Sequence, residues 1–142
     1  MESAVKTDPE VSLVLVDSSA WIDYYRPGGS KEHKENIRLL LAQDRVATTG
    51  VIQVEVLTGT KTEEDYETVR HDFLAFHWLE ATPATFEAAS RLGFQLQRRG
   101  LTIPAIDLII ASTAIEHRSE LWHRDAHFDQ IAAHSSLRSR YL

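Results

Sequence analysis

Short uncharged blocks alternate with charged, periodic stretches along the whole chain. Leu13 to Val16 is a brief run of leucine and valine that stops abruptly at Asp17, a pattern that fits a buried interior strand better than a helix. Ser18 and Ser19 can cap a short helix through Tyr25, and Arg26-Pro27-Gly28-Gly29-Ser30 reads as a loop. From Lys31 to Gln43, Ile37, Leu40 and Leu41 recur at helical spacing. Val46 to Thr48 reads as a second strand, and Gly50 to Leu57 as a helix closed by Gly59. A charged helix is predicted from Thr62 to Phe76, then a strand around Trp78 and Leu79. Pro83 and Pro104 open helices that reach Arg99 and His117, the first ended by Gly100. Leu121 and Trp122 form a last candidate strand, with a helical segment from Phe128 to Ala133 behind it. Trp21, Trp78 and Trp122 lie in or beside these elements and are read as core or interface residues.

Strand and helix alternate, so the expected class is α/β, with a central, mostly parallel sheet flanked by helices. A length of 142 residues suits one domain spanning 1–142, with residues 1–12 as a loose N-terminal extension. The chain has no cysteine, which excludes disulfides, thiolate zinc sites and a cysteine nucleophile. No apolar block follows a basic start, and no uncharged run approaches the roughly 18–20 residues of a membrane span. A soluble, cytoplasmic protein with no membrane partner is expected.

Fifteen basic and 21 acidic residues leave a net charge of -6, which ordinarily argues against a nucleic-acid partner. The distribution changes that picture, because residues 91–142 carry seven arginines against five acids. Such a surface can serve phosphates beside a carboxylate site, or simply be solvated.

Four acids stand in unusual places. In sheets of this class, ligands bind outside the carboxyl ends of the strands, which is where Asp17 falls. An aspartate after a strand is also a good helix N-cap, and taken singly that explains it better. Glu55 shares its helical face with Val51 and Ile52 behind and Thr58 and Gly59 ahead, so either a cation meets it or it sits at an edge and reaches water. Asp107 lies one turn into the helix opened by Pro104, in apolar company, where an acid also favours the positive helix end. Asp125 follows the last strand, on the same side of the sheet as Asp17, and can cap the final helical segment; Asp129 follows four residues later. Separate capping roles leave the convergence of these acids on one sheet edge unexplained. A divalent cation relieves the repulsion of clustered carboxylates, and oxygen-only ligands select Mg²⁺ or Mn²⁺.

The segments "VDSSAWIDYY", "VIQVEVLTG", "IPAIDLIIASTA" and "HRDAHFDQIA", in that order and spacing, resemble the PIN-domain ribonucleases, and within them the VapC toxins of VapBC toxin–antitoxin pairs. The likeness runs from about Leu13 to the end. It implies a PIN-like fold and a metal-dependent endoribonuclease acting on structured RNA such as tRNA or rRNA. It also implies a homodimer, held inactive by a VapB-type antitoxin. Asp17, Glu55, Asp107 and Asp125 match the family's four acids, as direct or water-bridged ligands of Mg²⁺ or Mn²⁺. Asp129 matches an accessory position, and Ser18 a hydroxyl that supports the first aspartate. His123 stands where many members carry Thr or Ser, which opens a supporting or RNA-contacting role for it. In-line attack by water on an RNA phosphodiester is implied, leaving 5′-phosphate and 3′-hydroxyl ends. Arg26, Arg118 and Arg124 are candidate phosphate contacts, each also explicable as a surface cation.

Other readings fare worse. A receiver domain needs a lysine that none of Lys6, Lys31, Lys34 and Lys61 supplies, and a haloacid-dehalogenase phosphatase needs an aspartate where Ser19 stands. His123 and His127, four apart, suggest zinc only weakly, since no Glu follows the first. Two readings stay open beside the toxin: a PIN-like module that binds RNA or protein without cutting, and a PIN nuclease of routine RNA processing.

Overall fold

The computed structural model describes residues 12–142, so all but Ser12 of the expected N-terminal extension lies outside the described residues. Strands β1 (Val14–Val16), β2 (Val46–Thr48), β3 (His77–Trp78), β4 (Glu120–His123) and β5 (Ser139–Tyr141) are interleaved with seven helices. These are α1 (Ser18–Tyr25), α2 (Lys31–Ala42), α3 (Gly50–Thr58), α4 (Glu63–Phe73), α5 (Pro83–Arg98), α6 (Ala105–Glu116) and α7 (Ala126–Ala132). The strands pair in the order β3-β2-β1-β4-β5, and every pairing is parallel.

The uncharged run that opens the sequence becomes the middle strand. Val14, Leu15 and Val16 are all fully buried, and alternate residues of a strand face opposite sides, so helices cover both faces of the sheet there. Trp21 of α1 stacks on Phe76 at 5.0 Å and packs against Phe73, while Phe128 and Ile131 of α7 are equally buried. The close contact of α5 with α6 depends on Gly93, where a Cβ would fall 2.6 Å from Leu108 Cδ1. Gly100 ends the α5 segment with φ +83°, a left-handed conformation that glycine adopts at little cost.

From β1 the chain adds β2 and β3 on one side, then returns to place β4 and β5 on the other. The connections therefore diverge at the carboxyl ends of β1 and β4, the crevice in which α/β sheets bind their ligands. Asp17 follows β1 and Asp125 lies just beyond β4.

Several local expectations are corrected. Asp17, not Ser18 or Ser19, caps α1, because its side chain accepts from the Ser19 amide. Helix α4 ends at Phe73 and turns before Phe76, and β3 begins one residue earlier than expected, at His77. Gly59 caps α3 with a right-handed φ of -86°, so its backbone freedom is not used there. Trp78 is half exposed, its indole N–H donating to Glu80 Oε1 at 2.7 Å, whereas Trp21 and Trp122 are core residues. Strand β5 was not anticipated: Ser139-Arg140-Tyr141 is a polar edge strand without an apolar run. Among the described residues no helix is long and apolar enough to cross a membrane.

Candidate metal centre at the strand ends

Asp17 does two things with two oxygens. Oδ2 accepts from the Ser19 amide at 2.9 Å and from the Ser19 hydroxyl at 2.6 Å, which caps α1. Oδ1 is buried and has no hydrogen-bond partner among the described residues, and the residue as a whole is 3% exposed. A buried, unpaired carboxylate oxygen is costly. Burial pushes the Asp17 carboxyl above its usual range and the Glu55 charge adds to that, against the opposing Ser19 hydrogen bonds. The Asp17 amide donates to Trp122 O at 2.9 Å, and the Arg124 amide donates to Ser19 Oγ at 2.9 Å. These bonds tie the ends of β1 and β4 together.

Asp107, in the first turn of α6, faces Asp125, the N-cap of α7. Between them sits His127, whose Nδ1 lies 3.0 Å from Asp107 Oδ2 and 3.3 Å from Asp125 Oδ1. Asp125 Oδ1 also accepts from the His127 amide at 3.0 Å, so the cap folds the imidazole back over the carboxylate that makes it. Burial, and next the charge of Asp125, push the Asp107 carboxyl up to about 6; Asp17 adds to the rise and His127 opposes it. Asp17 is thus close enough to share one electrostatic site with Asp107 and Asp125. Three carboxylates, one of which keeps a buried free oxygen, suit a hard divalent cation, and the fit is to residues already in place.

Of the two readings of Glu55, the edge position that reaches water holds. No cation meets it among the described residues; it is exposed, and Ser18 Oγ donates to its Oε1 at 2.8 Å. Ser18 therefore supports Glu55, and the hydroxyl that supports Asp17 is that of Ser19. Glu55 stands at the outer rim, near enough for its charge to act on Asp17.

His123 is fully buried, which removes the RNA-contacting option. Its Nδ1 accepts from the Asp125 amide at 3.2 Å, and its Nε2 lies 3.4 Å from Asp129 Oδ1. Its ring packs between Phe128 and Tyr141. Burial pushes its pKa down, against the charges of Asp129, Asp17 and Asp125. His123 thus orients the backbone that presents Asp125, and the half-exposed Asp129 stands at its other ring nitrogen.

The arginines separate. Arg124 contacts the His33 ring, lies 3.9 Å from Asp23 Oδ2 and is about one-third exposed. Arg26 pairs with Asp23 Oδ1 at 2.8 Å and is mostly exposed. Asp23 is buried, and His33 Nδ1 sits 3.1 Å from its Oδ2. Burial opposes the charge of Asp23, yet the His33 hydrogen bond and the Arg124 charge outweigh it and hold its carboxyl below the usual range. Arg118 precedes β4, at the opposite end of the strand from Asp125, and does not join the site. Ser19, Asp23 and His33 are the participants that sequence reasoning missed. His127 was met there only as half of a weak zinc pair with His123, and its place two residues beyond a capping aspartate was the signal for its role here.

A family model described as PIN domain matches residues 14–134. Ribonuclease VapC11 of Mycobacterium tuberculosis is 34% identical over 131 residues, covering 89% of this chain and 97% of its own. Ribonuclease VapC1 of Methanocaldococcus jannaschii is 28% identical over 127 residues, covering 89% and 86%. Among solved structures, VapBC2 from Rickettsia felis bound to a promoter DNA fragment aligns with TM-score 0.75 at 20% identity, over 92% of this chain and 98% of that one. The sarcin–ricin loop-cleaving toxin VapC20 of M. tuberculosis aligns with TM-score 0.61 at 16% identity, over 85% and 95%. At these identities the structural likenesses speak to the fold.

Proposed function

The chain belongs to the PIN-domain family, among its VapC ribonucleases, and on that footing we propose that it is a Mg²⁺- or Mn²⁺-dependent endoribonuclease toxin neutralised by a VapB-type antitoxin. The observation that carries the metal part of this reading is the buried, unpartnered Oδ1 of Asp17 beside Asp107 and Asp125.

A bound divalent ion supplies Lewis-acid polarisation of a phosphate and a water that deprotonates near neutral pH. Asp17 would hold the ion through Oδ1, its other oxygen being fixed by Ser19. Asp107 and Asp125 would share in holding it, and its charge would relieve their mutual repulsion. Glu55, kept at the rim by Ser18, accepts a hydrogen bond from the attacking water. Water adds to phosphorus in line and gives up a proton to solvent past Glu55, the bond from phosphorus to the 3′ oxygen breaks, and that oxygen takes up a proton from solvent. The products then carry 5′-phosphate and 3′-hydroxyl ends. Arg124, held beside the site through Ser19 and His33, meets an RNA phosphate, and Arg26 reaches the strand further out. Structured RNA, tRNA or rRNA, is the substrate in this reading, and the acting species is a homodimer.

Incubating the purified protein with tRNA and rRNA in Mn²⁺, in EDTA and with its operon-paired antitoxin tests this. Discrete cleavage is expected only in the first condition. Fragments that persist in EDTA, or that end in 2′,3′-cyclic phosphate, overturn it.

A further inference from the structure

We propose that His127 is a direct ligand of the divalent ion through Nδ1, which makes the centre a mixed carboxylate–imidazole site that favours Mn²⁺ over Mg²⁺. The proposal rests on the metal-binding reading above and adds the donor that sets its selectivity.

Position is the first argument. Asp107, Asp125 and His127 each offer one donor atom, and the three lie within 4.8 Å of one another. The two spacings from His127 Nδ1 are 3.0 and 3.3 Å. Donors at about 2.1 Å from an octahedral ion stand about 3 Å apart along an edge of the polyhedron, so the observed separations are those of neighbouring ligands. The buried, unpaired Oδ1 of Asp17, whose charge is felt at Asp107, is an independent sign that this cluster takes a ligand.

Chemistry is the second. An ion pair explains a histidine near two carboxylates, but not why the backbone places its Nδ1 between them. The Asp125 cap fixes the His127 backbone by its bond to the amide, and Nδ1 stands 3.0 and 3.3 Å from the two carboxylates. Mg²⁺ strongly prefers oxygen donors, whereas the first-row transition ions gain from an imidazole nitrogen. Replacing one oxygen ligand by nitrogen therefore moves selectivity toward Mn²⁺.

Electron paramagnetic resonance of Mn²⁺ tests this on the full chain, with no RNA present. Echo modulation from a directly bound ¹⁴N nucleus is expected in the wild-type protein and lost in His127→Ala. In parallel titrations, His127→Ala should weaken Mn²⁺ binding roughly ten- to a hundredfold, while Mg²⁺ affinity, measured by competition, falls by less than about threefold. His127→Gln, which puts an oxygen donor in place of the nitrogen, should keep Mg²⁺ binding at the wild-type level without the ¹⁴N signal, and melting curves on both variants establish that they fold. Mn²⁺ binding without ¹⁴N modulation in the wild type overturns this inference and leaves the metal reading intact. Failure of the wild type to bind Mn²⁺ at all overturns both.

Discussion

Ser19 grips one oxygen of Asp17 twice, through its amide at 2.9 Å and its hydroxyl at 2.6 Å, and leaves the other oxygen buried and, among the described residues, free. Capping and ion-holding are therefore divided between the two atoms of one carboxylate. Asp17→Asn keeps a good cap and removes a buried charge, so metal-free stability should hold or rise. Asp17→Ala loses the cap as well and should cost about 1 kcal/mol relative to the asparagine variant. Chemical denaturation of both variants in EDTA checks this. A large loss of stability in Asp17→Asn would mean that the carboxylate is needed for folding alone.

Acidity should stabilise the metal-free protein through Asp107. Its carboxyl, pushed up to about 6 chiefly by burial and then by Asp125, binds a proton more tightly folded than unfolded, where the usual value is 3.8. Its contribution is complete below that lower value and is lost as pH rises through about 6, an effect on the order of 3 kcal/mol. Asp107→Asn should flatten this part of the stability-against-pH curve in EDTA. Mn²⁺ should raise the melting temperature more at pH 7 than at pH 5, where protons compete for the same oxygens. Equal shifts at both pH values would place the ion elsewhere.

Ser18 and Glu55 form a separable rim. Ser18→Ala deletes a half-exposed hydrogen bond, so stability should change by no more than about 1 kcal/mol. Cleavage should nonetheless slow by roughly tenfold, and Glu55→Gln by about a hundredfold, through loss of the carboxylate's charge and basicity toward water. Single-turnover rates at saturating metal distinguish this from weakened ion binding, which would be corrected by more Mn²⁺.

Arg124 and Arg118 give a paired contrast. Arg124→Ala should weaken RNA binding and reduce the slope of log affinity against log salt by about one. Arg118→Ala, at the far end of β4, should leave both unchanged. Filter binding in Ca²⁺, across a salt series, reads the two together. Equal effects of the two substitutions would displace the RNA path from the strand ends.

Much of this site was legible because β1, β4 and α6 announce themselves. A fully buried strand has to read as an uncharged run, so Asp17 stood out at its end, and Pro104 marked the first turn that carries Asp107. Glu55 was harder. Helix α3 is apolar nearly all round, with Val54 exposed while Ile52 and Val56 are buried, so periodicity could not say which face the core covers. His127 depends on a ring folding back over its own N-cap, a local geometry that residue type alone does not encode. Asp23 and His33 meet only because α1 and α2 pack together, and Arg118 misled because nearness to β4 in sequence hides which end of the strand it occupies. Strand β5, being polar, has no signature of its own beyond the pairing that β4 offers it.

The most direct test of the central claim compares wild type with Asp17→Asn on tRNA and rRNA, in Mn²⁺ and in EDTA, with end-group analysis of the fragments. Cleavage by the wild type in Mn²⁺ alone, leaving 5′-phosphate and 3′-hydroxyl ends, with Asp17→Asn reduced by at least about a hundredfold, is the predicted result. Comparable cutting by a folded Asp17→Asn protein, or cutting that survives EDTA, would contradict it and return Asp17 to the role of a helix cap.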